Sequence, residues 1–208
     1  MSTPLHTSNP RRRGFQFLSL VVLATVVAAC GGGDGSAEAE VQEFGPVEVV
    51  GAPLPAFEGD TASDTGIGAI APVLNGESFD GTPVTIAPDG YSLVVFLAHW
   101  CPHCQAEVPD LVSWAESLSV PAGLKVYGVT TATGEDRPNF PPSRWLSIER
   151  WPFITMADDD ASTAGLAFGT TGYPYVVMLD PSGAVLWRHS GELDEGQLEQ
   201  YVSSAMGL

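Results

Sequence analysis

Apolar residues in this chain fall into unbroken runs, helical spacings and short clusters, and each pattern predicts a different element. Leu93-Val94-Val95-Phe96-Leu97-Ala98 has no polar interruption. A run this short, with Val-Val-Phe inside it, suits a strand buried on both faces of a sheet. Val108, Leu111, Val112, Ala115 and Leu118 then recur at three- and four-residue spacing, which predicts a helix just after Trp100. Leu124 to Thr131 predicts a second buried strand, set off by the breaker Pro121-Ala122-Gly123. Two strands joined through a helix form a βαβ unit, whose crossover is right-handed in nearly all cases.

Weaker patterns complete the C-terminal half. Thr133 to Pro142 reads as a polar loop with three prolines, and Arg144 to Arg150 as a short helix using Trp145, Leu146 and Ile148. Phe153 to Met156 reads as an extended segment. Asp158-Asp159-Asp160 reads as a solvated turn capping a helix from Ala161 to Phe168, in preference to a metal site. Tyr175 to Asp180 and Ala184 to His189, joined by Pro181-Ser182-Gly183, predict an antiparallel hairpin. Asp194 with Gln197 is a capping-box pattern for a closing helix, with Leu198, Tyr201, Val202 and Ala205 on one face.

The N-terminus follows other rules. Arg11, Arg12 and Arg13 precede an apolar run from Phe15 to Ala29, shorter than the about 20 residues a spanning helix needs. A basic region, an apolar region and small residues make an export signal. Val27-Ala28-Ala29-Cys30 resembles a bacterial lipobox, which implies cleavage before Cys30 and lipidation of that residue. Arg12-Arg13-Gly14-Phe15 also resembles a twin-arginine signal, with Arg11 departing from the usual Ser or Thr, so the export route stays open. Residues 1–29 are therefore expected as signal. Residues 30–69 are expected as a flexible acidic, then Pro- and Gly-rich tether, irregular except for one short strand at Val47 to Val50. Residues 70–208 are expected as the folded domain.

The formal charge is −17, and removing the signal takes it to −20, with five basic residues against 25 acidic ones. Such a chain is repelled by nucleic acid and by anionic lipid headgroups. Attachment to a membrane then needs a covalent anchor, the part given to Cys30; the same acidity suits basic partner proteins. Of three cysteines, lipidation of Cys30 leaves one pair and no structural disulfide.

That pair, Cys101 and Cys104, stands where the first strand hands over to the helix. Cys101 sits beside the positive helix end, which favours a thiolate. Pro102 fits the first helical position, where its missing N–H is not needed. Cys104 lies one turn on, on the same face. A thiolate attacks a disulfide and its neighbour resolves the mixed disulfide. A zinc site needs a second pair of ligands, which the chain lacks, so no metal or cofactor is expected.

Trp100-Cys101-Pro102-His103-Cys104 resembles the active site of the thioredoxin superfamily, and the pattern WC-x-x-C-x-x-E-x-P, with Glu107 and Pro109, resembles its TlpA-type branch. Ala71-Pro72-Val73-Leu74-Asn75-Gly76 and Phe79-Asp80-Gly81-Thr82-Pro83-Val84 resemble the opening hairpin of that branch, with Asn75-Gly76 and Asp80-Gly81 as turn pairs. Gly172-Tyr173-Pro174 resembles the segment that carries the superfamily's cis proline. The resemblance spans about residues 70–208. It implies an α/β thioredoxin-like fold: a central mixed β-sheet flanked by helices, with an N-terminal β-hairpin extension.

For the site, the resemblance implies Cys101 as attacking and Cys104 as resolving sulfur, together forming the redox-active disulfide. His103 would stabilise the Cys101 thiolate. Trp100 would shield the site and Pro102 support it. Pro174 would face Cys101 while the Tyr173 backbone pairs with a substrate chain. Pro109 would kink the helix. The buried aspartate of thioredoxin proper, six residues before its first cysteine, is Val95 here, which passes proton transfer from Cys104 to Glu107. His99 is open between packing and electrostatics.

The implied function is an exported, membrane-anchored thiol–disulfide oxidoreductase. Its partners would be client protein thiols and disulfides and a membrane or exported redox partner, with no nucleic acid. The TlpA-type frame points to a reductase, the expected direction; the Pro-His pair resembles that of DsbA-type oxidases. Two functions of different kinds compete with this one. A peroxiredoxin-like thiol peroxidase needs a threonine neighbourhood where Ala98-His99-Trp100 stands, and a copper-binding or chaperone lipoprotein would use the same cysteines with His103.

Overall fold

A computed structural model describes residues 41–117, 119–193 and 196–208. The signal, the tether to residue 40, Cys30, Leu118 and the Asp194 cap lie outside the described residues. In chain order the elements are β1 (Glu48–Val50), a 3-10 turn (Thr61–Ser63), β2 (Val73–Glu77), β3 (Pro83–Ile86), β4 (Tyr91–Leu97), α1 (Pro102–Glu116), β5 (Leu124–Thr130), α2 (Pro142–Ile148), β6 (Ile154–Ala157), α3 (Thr163–Ala167), β7 (Tyr175–Leu179), β8 (Val185–Ser190) and α4 (Gln197–Met206).

The uninterrupted apolar run becomes β4, in the interior of a mixed sheet ordered β1-β2-β6-β5-β4-β7-β8, with β3 also paired to β2. β4 is parallel to β5, as the βαβ reading requires, and antiparallel to β7. Both faces of β4 are covered. Leu93, Val95 and Leu97 pack with Val108, Leu111 and Val112 of α1 and Leu198 and Val202 of α4. Val94 and Phe96 pack on the other face with Phe168, Leu54 and Phe57. Each large apolar side chain so buried contributes about 1.5–3 kcal/mol. The architecture is the α/β thioredoxin-like one, a central mixed sheet with helices on both sides.

Four expectations are corrected. The chain between residues 41 and 69 is no tether: Leu54 and Phe57 are core residues. Their backbone N–H groups donate to Ala167 and Gly169, both at 2.9 Å. Gly169 permits this close approach, since a Cβ there would lie 2.3 Å from the Pro55 carbonyl oxygen. Asn75-Gly76 is not a turn but lies inside β2, where a Gly76 side chain would meet the Met156 sulfur; the hairpin turn is Ser78–Thr82, closed by Ser78 N–H donating to the Thr82 carbonyl at 2.8 Å. Asp158 is buried, not solvated, and accepts the Asp159, Ala164 and Gly165 N–H groups at 2.8–3.0 Å. It is a cap that the fold encloses. Ile148 closes α2 as an exposed residue rather than a core contact, because α2 begins at Pro142 and turns Trp145 and Leu146 inward.

Candidate active site

β4 ends at Leu97, and a turn closed by Cys101 N–H donating to the Ala98 carbonyl (2.9 Å) redirects the chain into α1. Cys101 is the N-cap residue of α1 and Pro102 opens the first turn. Cys104 lies on the inner face of that turn, fully buried, while Cys101 keeps 7% of its surface in solvent. Both are thiols in this structure. The Ala98 N–H donates to the Cys104 sulfur at 3.4 Å. Burial pushes the Cys104 thiol far up, and that backbone N–H offsets only part of the rise. A Cys104 thiol so enclosed gives up its proton less readily than an exposed one.

The segment that leads into β7, the strand beside β4, supplies the opposing wall. The Tyr173–Pro174 peptide is cis, and the Cys101 thiol donates to the Tyr173 carbonyl at 3.4 Å. The structure thus brings Cys101, Cys104, Tyr173 and Pro174 together, although Cys101 and Tyr173 stand 72 residues apart. Trp100 flanks the pair, edge-on to Tyr173 at 6.2 Å, its indole N–H donating to the Ala132 carbonyl at 2.8 Å.

Glu107 follows Cys104 by three residues, so it shares the same face of α1. It is 3% exposed, and burial raises its carboxyl to about 7, against a lowering by the Leu193 N–H that it accepts at 3.0 Å. It borders a groove of about 420 Å³ also lined by Asp110, Trp114, Leu193 and Leu198. Pro109 sits inside α1, and Val95 is fully buried. His103 points outward, its Nδ1 2.5 Å from Glu192 Oε1, so the structure gives it a partner that the sequence did not suggest.

His99 is a buried, hydrogen-bonded anchor. It is 1% exposed. Nδ1 donates to the Pro138 carbonyl at 2.7 Å while Nε2 accepts the Gly134 N–H at 3.2 Å, an assignment that both partners dictate. Burial lowers its basicity, in keeping with a neutral ring. Sequence reasoning misses Arg137 and Glu192 because nothing in their local patterns ties them to the cysteines.

Residues 67–188 match the AhpC/TSA family model. The thiol:disulfide interchange protein DsbE homolog of Paracoccus denitrificans is 33% identical over 131 residues, 61% of this chain and 68% of that one. The thiol:disulfide interchange protein HelX of Rhodobacter capsulatus is 26% identical over 186 residues, 89% of this chain and 92% of that one. The crystal structure of a thioredoxin-family thiol:disulfide interchange protein from Chlorobium tepidum superposes with a TM-score of 0.54 at 26% identity, covering 66% of this chain and 96% of that one.

Proposed function

Since the chain belongs to the AhpC/TSA family and, with its DsbE-like relatives, is a thiol–disulfide oxidoreductase, we propose that it works as an exported, lipid-anchored reductase of client protein disulfides through Cys101 and Cys104. The observation that carries this reading is Cys101 at the cap of α1, one turn before the buried Cys104, with its thiol on the carbonyl before the cis Pro174. In the forward step the Cys101 thiolate attacks one sulfur of a client disulfide and forms a mixed disulfide; the client's other sulfur leaves as a thiolate and takes a proton. Glu107 then accepts the Cys104 proton, and Cys104 attacks the Cys101 sulfur. The client departs with two thiols, and the enzyme holds the Cys101–Cys104 disulfide. An exported or membrane redox partner returns two electrons to reset the pair.

Other residues take supporting parts in the same proposal. Trp100 and Pro102 shape the approach to Cys101. Tyr173 and Pro174 receive the client backbone. His103, bonded to Glu192, stands at the mouth of the site to stabilise the thiolate. Cys30 carries the lipid that holds an acidic protein at the membrane.

Titration of the purified protein against glutathione tests the direction. The reductase reading expects a reduction potential well below about −150 mV, toward the −270 mV of thioredoxin; a value above −150 mV makes the protein an oxidase.

Glu107 gives a second test. Because burial raises its carboxyl, the folded state keeps a proton that the unfolded chain sheds. Stability therefore falls as pH rises from 4.5, the ordinary value, to about 7, where the folded group itself ionises. Glu107→Gln is expected to recover about 1–3 kcal/mol at pH 8 and little at pH 4. The same variant should slow resolution of the mixed disulfide by about 10²-fold, because the base is gone. Denaturation curves at the two pH values and single-turnover kinetics check the two halves.

A further inference from the structure

The loop from Ala132 to Phe140 is fastened to the active site from several sides. His99 holds Gly134 and Pro138 through its ring, and the Asn139 side chain donates to the His99 carbonyl at 3.2 Å. The Trp100 indole holds Ala132, and Phe140 lies edge-on to His99 at 6.0 Å. None of these contacts serves the exchange of sulfur bonds. What they do is fix Arg137, whose guanidinium carbon lies 4.7 Å from the centre of the Trp100 ring, next to Cys101. The side chain is otherwise exposed, and among the described residues no carboxylate pairs with it. A guanidinium set over an indole keeps the N–H donors around its edge available to acceptors.

We propose that Arg137 is a client-docking residue, and that His99 is the positioning residue that holds it over Trp100. Its donors take carbonyl or carboxylate oxygens of the polypeptide segment flanking the client's cysteine, on the Trp100 side of Cys101. This rests on the exchange reaction proposed above and adds the element that separates a protein client from a small disulfide. His99 suits the part because its ring spans a donor and an acceptor of the same loop. A phenylalanine there leaves the Gly134 N–H and the Pro138 carbonyl without that partner, which loosens the loop.

The test compares kcat/KM for insulin, a protein disulfide, with kcat/KM for 2-hydroxyethyl disulfide, which has no backbone to dock, both with dithiothreitol supplied to return the two electrons that each turnover takes. The full-length protein is used throughout. Arg137→Ala is expected to lower the insulin-to-small-disulfide ratio about tenfold, mostly through KM, the loss expected for one hydrogen bond from a charged donor. His99→Phe should lower the ratio similarly, and His99→Gln, which keeps a donor and an acceptor, should recover part of it. Arg150→Ala removes an exposed arginine that pairs with Glu116 at the far end of α1, and should leave the ratio at the wild-type value. A wild-type ratio in Arg137→Ala, with both substrates turned over by the parent, overturns the docking role. Failure of the parent to turn over either substrate overturns the exchange reading itself.

Discussion

Cys101→Ser is expected to lose protein-disulfide exchange by on the order of 10³-fold or more, because a serine hydroxyl does not attack a disulfide near neutral pH. Cys104→Ser should behave differently. The attacking sulfur remains, so the first step proceeds and the mixed disulfide accumulates. The asymmetry follows from position: Cys101 caps α1 with part of its surface in solvent, whereas Cys104 is enclosed beneath it. A client disulfide can reach the first sulfur and not the second. Assays of insulin reduction by the two variants, with a gel shift for the trapped species, distinguish these outcomes.

The second large effect lies away from the cysteines. Arg188 of β8 is fully buried and pairs with Asp64, which is itself almost fully enclosed. Its Nε donates to Asp64 Oδ2 at 2.7 Å and its Nη1 to the Pro55 carbonyl at 2.8 Å; the guanidinium lies 5.4 Å from the Phe57 ring centre. One side chain thus holds the Pro55–Asp64 segment against the sheet. Asp64→Ala removes the carboxylate and leaves a buried cation, at an expected cost of about 3–5 kcal/mol. The Arg188 hydrogen bond holds the Asp64 carboxyl below its ordinary value. The pair's contribution is therefore present above that ordinary value, 3.8, and is lost as pH falls through the lowered one. Urea denaturation of Asp64→Ala beside the parent at pH 7 measures the loss; a change under about 1 kcal/mol would mean that the segment is held without help from the ion pair.

How far the sequence can be read depends on how local each feature is. β4, α1 and the two cysteines are consecutive, and their pattern reports burial directly: Leu93 to Ala98 is apolar throughout because both faces of β4 are covered. The place of Tyr173 and Pro174 opposite Cys101 is legible only through resemblance, since no local signal links β7 to α1. The 41–69 segment misleads because its apolar residues follow no period; Leu54 and Phe57 are buried by docking on α3 and β7 rather than by forming an element. The Asp64–Arg188 pair spans 124 residues, and either residue alone reads as an ordinary surface charge. Asn75-Gly76 misleads because a turn pair and a strand glycine look alike in sequence; Met156 packed over Gly76 decides between them. His99 stands out by its place before Trp100, but its partners lie in a loop that the sequence marks only as polar.

The most direct test of two sulfurs exchanging electrons with a protein is to incubate Cys104→Ser with a disulfide-bonded client and map the product by mass spectrometry. A single mixed disulfide at Cys101 is expected, discharged by added thiol and absent when Cys101→Ser is introduced as well. A mixture carrying no client-linked Cys101, under conditions where the parent becomes oxidised to the Cys101–Cys104 disulfide, would contradict it.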